Sequence, residues 1–198
     1  MWETVRMATE ESFVRNRIAR SARVIASLES NAGAIARMID VIKDSLSHGR
    51  LLVSCGNGGS AAEAMHLTEE LIGRYRLDRP ALPAICLNAD PTALTCIAND
   101  FGFEQVFSRQ VEALVHRGDV VVGFSTSGAS ENVRRAFAKG REKGAICIGL
   151  LGKGGGACAA LCDHAIIVDC DETEHIQEAH QVLVHLVLEA IEAAYTLK

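Results

Sequence analysis

No stretch of this chain stays apolar for the roughly 18 to 20 residues that a membrane span needs. Positive charge is not in excess either: 25 acidic residues against 20 lysines and arginines leave a formal net charge of −5 in 198 residues. Without a general basic field, nucleic acid is not the expected partner. The opening segment, "MWETVRMATEESFVRNR", is charged throughout and has no apolar h-region, so no signal peptide is expected. The seven cysteines contain no CxxC and are odd in number, which argues against a disulfide framework. Cys55, Cys86 and Cys147 fall inside apolar runs, where cysteine behaves as a small buried hydrophobe. The pattern reads as reduced thiols in a cytoplasmic protein. Cys158, Cys162, His164 and Cys170 lie close in sequence, but their spacing matches no common zinc knuckle. Internal repeats, low-complexity tracts and linkers are also missing. What remains is one domain spanning residues 1–198, 48% hydrophobic and 23% charged. Such a chain can bury a substantial core.

Residues 1–49 read as helix. Val5, Phe13, Ile18, Val24, Ile25 and Leu28 recur at mixed helical spacing. Asn31 is placed to cap a second helix, with Ile35, Met38, Ile39, Ile42 and Leu46 on one stripe and Gly49 at its end. Two long helices before the first strand exceed the needs of a minimal α/β domain. Their spare apolar surface is suited to packing against another subunit. From residue 50 onward the period changes. Short runs rich in Val, Ile and Leu stand at Leu51–Cys55, Ala84–Leu87, Val120–Phe124, Ile146–Leu150 and Ala165–Val168. Most scarcely alternate, as strands buried on both faces do in a parallel sheet. Helical patterns follow at Phe103–Val115, closed by Gly118, and at Ser130–Lys143, closed by Gly144. A long amphipathic helix, His175–Leu197, ends the chain. This alternation predicts an α/β fold with a doubly wound parallel sheet.

Ligands of such sheets bind at the carboxyl ends of the strands, where helix N-termini point. Two loops there stand out. The first, Gly56-Asn57-Gly58-Gly59-Ser60, has more glycine than a tight strand-to-helix turn requires. Through Ala61 it also fits G-x-G-x-x-A, a variant dinucleotide fingerprint. However, no acidic residue ends the second strand at the expected distance, since Asp90 follows only after Asn88 and Ala89. The second loop, Ser125-Thr126-Ser127-Gly128-Ala129-Ser130, carries four hydroxyls. Ser130 can serve as a helix N-cap, but one cap does not use three further hydroxyls. Short donors beside helix N–H groups make a nest for phosphate. No G-x-x-x-x-G-K-[ST] occurs, and "GKGGG", Gly152–Gly156, reads as a flexible loop near the ligand. Two such loops on one sheet fit a phosphorylated small molecule better than a dinucleotide.

His66 and Glu70, at i and i+4, share a helix face. An isolated pair of this kind is an ordinary surface contact. Here its helix starts at the glycine loop, and Glu69 points elsewhere. On the last helix Gln177, Gln181 and His185 are spaced by four, a polar stripe among aliphatics. A histidine in such company is also compatible with a satisfied core residue. Together the glutamate and histidine point to proton transfer, as in ketose–aldose isomerisation, where a base takes a proton beside the carbonyl and an acid serves the enediol oxygens. His66, Glu70, Gln177 and His185 would also form an N/O set for a divalent metal. Gln177 and His185 lie eight residues apart, roughly 12 Å along an ideal helix. To meet at one ion, either the helix must be irregular or a neighbouring subunit must supply one of them.

"CGNGGSAAEAMHLTEELIGRY", "LTCIANDFGFEQVFSRQV", "STSGAS" and "HIQEAHQVLVHLV", in that order from about residue 32 to the end, resemble the phosphoheptose isomerases. These are sedoheptulose 7-phosphate isomerases of the sugar isomerase (SIS) fold. The resemblance implies a five-stranded, flavodoxin-like parallel sheet. It also implies a homotetramer with active sites at subunit interfaces and one zinc per subunit. The reaction would convert sedoheptulose 7-phosphate into glycero-manno-heptose 7-phosphate, the first step toward activated heptose for bacterial surface glycans. Carried over where the motifs match, Asn57, Gly58, Gly59, Ser60, Asn99, Asp100 and Gln177 contact substrate, and Ser125, Thr126, Ser127 and Ser130 hold its phosphate. Glu70 is the base, His185 its acid–base partner, and His66, Glu70, Gln177 and His185 bind zinc. Without the resemblance, Asn99 and Asp100 read only as a turn before the helix at Phe103. The chain departs from the family at Ala129, where Asn is usual, and at Gly154, where Asp is common. Both positions bear on affinity or sugar preference. Two non-catalytic readings stand beside the enzyme: a binder of a protein partner, as in a relative that binds the replication initiator DnaA, and a sugar-phosphate sensor.

Overall fold

The computed structural model describes residues 9–196, so the expectations at Val5 and Leu197 lie outside the described residues. Strands β1 (Leu52–Cys55), β2 (Ala84–Cys86), β3 (Val120–Ser125), β4 (Ile146–Gly152) and β5 (His164–Val168) form one sheet. All neighbours are parallel and the order is β2-β1-β3-β4-β5. This is the flavodoxin-like doubly wound order. Every residue of β1 and β3 is buried, which accounts for their unbroken apolar runs.

Helices cover both faces. On one lie α1 (Glu10–Ser27), α2 (Ala32–Ser47), α3 (Gly59–Ile72) and α8 (Thr173–Thr196), packed around Ile42, Leu67, Phe124 and Leu183. On the other lie α4 (Pro91–Phe101), α5 (Ser108–Leu114), α6 (Glu131–Lys143) and the single turn α7 (Gly156–Ala159), around Val53, Phe107, Val121 and Phe137. Helix α1 docks on α8 through polar contacts. Arg17 pairs with Glu174 at 2.9 Å, Arg20 pairs with Glu172, and Ser21 meets the buried His175 at 3.2 Å. The outer face of α1 leaves Phe13 and Ile18 60% and 64% exposed.

Two expectations need correction. The segment around Asn99 and Asp100 is not a turn but the last part of α4. Its start is well signalled: the Asp90 carboxylate accepts from the N–H groups of Thr92 and Ala93, with Pro91 in the first turn. No residue of α4 is fully buried; Leu94, Ile97 and Ala98 pack half-buried against the second core, a short stripe not singled out in the sequence. The single helix expected over Phe103–Val115 is broken instead. Phe103–Gln105 forms a short 3-10 turn, and α5 begins only at Ser108. The buried side chains of Val106 and Phe107 occupy the junction. Among the described residues, no helix is long and apolar enough to cross a membrane.

Candidate active site

Strands β1 and β3 are neighbours at the point where the strand order reverses, and the two loops singled out in the sequence follow them. A reciprocal amide pair staples the loops together. Asn57 Nδ2 donates to Asn132 Oδ1 at 2.9 Å, and Asn132 Nδ2 donates back to Asn57 Oδ1 at 2.8 Å. Asn132, buried in the first turn of α6, was not singled out in the sequence. Its pairing crosses 75 positions, beyond the reach of any local pattern. Asn88 clamps the other side of the glycine loop: its amide accepts from the Gly56 N–H and donates to the Gly56 carbonyl.

The hydroxyl loop gathers its side chains at the start of α6. Ser130 stands at the N-cap position of α6, yet its hydroxyl makes no capping bond. It turns to Ser125 Oγ at 3.0 Å, and Ser127 Oγ lies 3.5 Å from the same atom. Three hydroxyls are thus gathered at a helix N-terminus instead of being spent on the helix itself. Gly128, at φ +61°, lets this loop touch the next one: a Cβ there would lie 2.2 Å from the Gly155 backbone. Cys158 N–H donates to the Gly128 carbonyl at 2.9 Å, so the "GKGGG" segment is packed against the hydroxyl loop.

Helices α3 and α8 run side by side and carry the acid–base groups. Gly59, the first residue of α3, faces Gln177; a Cβ at Gly59 would sit 2.3 Å from the Gln177 amide nitrogen. Two turns on, Gln181 Nε2 lies 2.6 Å from His66 Nδ1 and 3.0 Å from His185 Nε2. An amide nitrogen only donates, so both ring nitrogens accept. His66 therefore carries its proton on Nε2, which faces Glu70 Oε1 at 3.5 Å. The two imidazoles meet edge-on with centroids 5.4 Å apart. Burial, reinforced by the His66 ring, lowers the pKa of His185. Tyr75 lies 5.8 Å from the His185 ring. Its loop is held by the Glu192 carboxylate, which accepts from the Arg76 and Leu77 N–H groups at 2.7 Å.

The structure therefore brings His66, Glu70 and His185 together within one chain, with Gln181 between the imidazoles and Gln177 one rung nearer the glycine loop. Gln177 and His185 face different rungs of the α3–α8 seam, so the eight-residue separation between them remains within the chain. Asn99 and Asp100 are exposed, and their side-chain contacts are local: Asn99 donates to Asp100 at 2.7 Å and Cys96 Sγ reaches Asp100 at 3.8 Å. Glu69, expected to point elsewhere, is exposed, but its carboxylate joins His66 and Glu70 in a group whose ligand atoms lie within 4.8 Å of one another. Among the described residues this is the His/Cys/Asp/Glu grouping able to hold a metal; Cys158, Cys162, His164 and Cys170 form none. The seven cysteines are free, and burial pushes the Cys147 thiol up to about 12.

These features describe a phosphosugar-type α/β domain, and comparison with known proteins agrees. The SIS domain family model matches residues 17–152. The phosphoheptose isomerase of Geotalea daltonii is 49% identical over 158 residues, covering 80% of this chain and 82% of its own. Phosphoheptose isomerase 1 of Campylobacter jejuni is 45% identical over 173 residues, covering 87% and 93%. Among solved structures, the phosphoheptose isomerase of Neisseria gonorrhoeae superposes with a TM-score of 0.88 at 36% identity, covering 93% of this chain and all of that one. The chain belongs to the phosphoheptose isomerase family of SIS domain proteins.

Gly59→Ala separates site from fold. Alanine favours the helix, and the clashing atom is the end of a flexible side chain, so the melting temperature should hold. The displaced Gln177 should raise the KM for a phosphosugar about tenfold, the ~1.4 kcal/mol of one polar contact. Unchanged kinetics would remove Gln177 from the site.

Proposed function

We propose that the protein converts sedoheptulose 7-phosphate into D-glycero-D-manno-heptose 7-phosphate by proton transfer through an enediol. The observation that carries this is the separation of two chemistries along α3. The hydroxyl and glycine loops gather anion-binding groups at one end. His66 and Glu70 lie seven and eleven residues from Gly59, on the order of 10 to 16 Å along the helix. A sugar with its phosphate and its carbonyl at opposite ends matches that arrangement. The relatives' shared name and the neighbouring carboxylate and imidazole favour an isomerase over a partner-binding or sensing protein.

In this reading Ser125, Thr126, Ser127 and Ser130 hold the phosphate with the N–H groups at the start of α6. Asn57, Gly58, Gly59, Ser60 and Gln177 line the sugar. Glu70 takes the proton from the carbon beside the carbonyl and returns it to the neighbouring carbon. His185, neutral because its pKa is lowered, serves the oxygens and assists ring opening. Moving one proton between adjacent carbons and one between adjacent oxygens interconverts ketose and aldose without an outside oxidant.

The donor chemistry fits zinc: the imidazoles of His66 and His185 and the Glu70 carboxylate stand within one cluster, and the Gln177 amide lies one rung away along α8. His66, Glu70, Gln177 and His185 would hold the ion, and Gln181 would turn its nitrogen away from the two ring lone pairs it now occupies. When bound, the ion would polarise the carbonyl and its neighbouring hydroxyl. A homotetramer is part of the proposal, with residues 1–49 supplying contact surface through the exposed Phe13 and Ile18. Asn99 and Asp100, exposed on α4, would complete a neighbour's site. The setting is cytoplasmic, and the product would feed activated heptose for surface glycans.

Glu70→Gln should fold and lose on the order of 10²- to 10⁴-fold in kcat on sedoheptulose 7-phosphate. Subunits of Glu70→Gln mixed and reassembled with Asn99→Ala/Asp100→Ala subunits should regain turnover. A fully active Glu70→Gln would sink the base assignment, and no regain on mixing would place each site within one chain. Elemental analysis after dialysis without chelator should find about one zinc per chain. Zinc-free protein whose activity zinc does not raise would contradict the metal set.

A further inference from the structure

Between the Gly59–Gln177 rung and the His66–Gln181 rung lies a third contact that the proposed chemistry does not use. Glu63 of α3 and His180 of α8 are both buried in the aliphatic seam, with His180 Nδ1 3.6 Å from Glu63 Oε2. His180 Nε2 lies 3.3 Å from the Leu151 carbonyl on β4, and the ring edge faces Phe124 with centroids 6.0 Å apart. Both Glu63 carboxyl oxygens and His180 Nδ1 lack any hydrogen-bond partner. A carbonyl only accepts, so Nε2 carries a proton and Nδ1 is the ring atom that faces the carboxyl group. A shift of under about 1 Å closes the gap to a hydrogen bond.

We infer that Glu63 and His180 are a positioning pair that fixes the axial register of α3 against α8, and thereby sets the alignment of His66 and Glu70 with His185. Aliphatic contacts such as those of Leu67 and Leu183 tolerate sliding; a buried polar pair with no alternative partner does not. The pair also ties the seam to the sheet through Leu151. A misplacement of about 1 Å at a reacting centre costs on the order of 100-fold in rate. The phosphate loops are held separately by Asn57 and Asn132, so loss of the pair should spare phosphate binding. This inference rests on the isomerase reading.

The test uses the full chain and two variants. Glu63→Leu/His180→Leu removes both polar groups together and leaves no orphaned charge, so it should fold. Its kcat on sedoheptulose 7-phosphate should fall about 10- to 100-fold while KM stays within about twofold. Glu63→Gln, whose amide can donate to Nδ1, should keep kcat within about threefold of the unchanged protein. A folded double variant with unchanged kcat overturns the pair's role. So does a Glu63→Gln as impaired as the double variant, which would require the carboxyl group itself. Failure of the double variant to fold also overturns it, by making the pair a stability element. Absence of turnover in the unchanged protein would instead defeat the isomerase reading, so the two failures are distinguishable.

Discussion

The side-by-side packing of α3 and α8 is the constraint on which the site depends. Helix α3 follows β1 and α8 follows β5, strands of one parallel sheet, so their N-termini share an end and their residues pair in ascending order: Gly59 with Gln177, Glu63 with His180, His66 with Gln181. Parallel strands impose this order, because each crossover helix returns along the sheet in the same sense. A glycine at the first rung lets the helices approach closely. The aliphatic core beneath them, with Leu67, Leu183 and Ile176 buried, supplies the bulk of the hydrophobic contact. The polar rungs add direction to it.

The second constraint is the coupling of loops that are remote in sequence. The Asn57–Asn132 pair joins the loop after β1 to the first turn of α6, and Gly128 presses the hydroxyl loop onto the loop after β4. A reciprocal amide pair satisfies two donors and two acceptors at once, which a partly buried site at the carboxyl end of the sheet needs. The Ser130 hydroxyl shows the same economy of groups: it leaves the helix end uncapped and joins Ser125. Helix N–H groups left open in this way remain available to an anion.

Much of this was legible in the sequence, and the exceptions share a cause. The five strands read correctly because short Val, Ile and Leu runs mark them, unbroken where β1 and β3 are buried on both faces, and the two loops stood out because glycine and hydroxyl residues are local signals. Helix α4 was missed because only the short, half-buried stripe of Leu94, Ile97 and Ala98 faces the core, and the Phe103–Val115 helix was overextended because Val106 and Phe107 continue the apolar pattern through a break. The Gln177–Gln181–His185 stripe was visible, but which glutamine turns between the imidazoles depends on the height of α3 beside α8. Asn132, Tyr75 and Glu63 escaped notice for the same reason: each acquires its role from a residue on another element.

The most direct measurement is a crystal structure with sedoheptulose 7-phosphate bound to Glu70→Gln. The account places the phosphate against the hydroxyls of Ser125, Ser127 and Ser130, and the carbonyl end beside residue 70 and His185, with the sugar crossing Gly59 and Gln177. A phosphate bound away from the hydroxyl loop, or a carbonyl out of reach of residue 70 and His185, would contradict it.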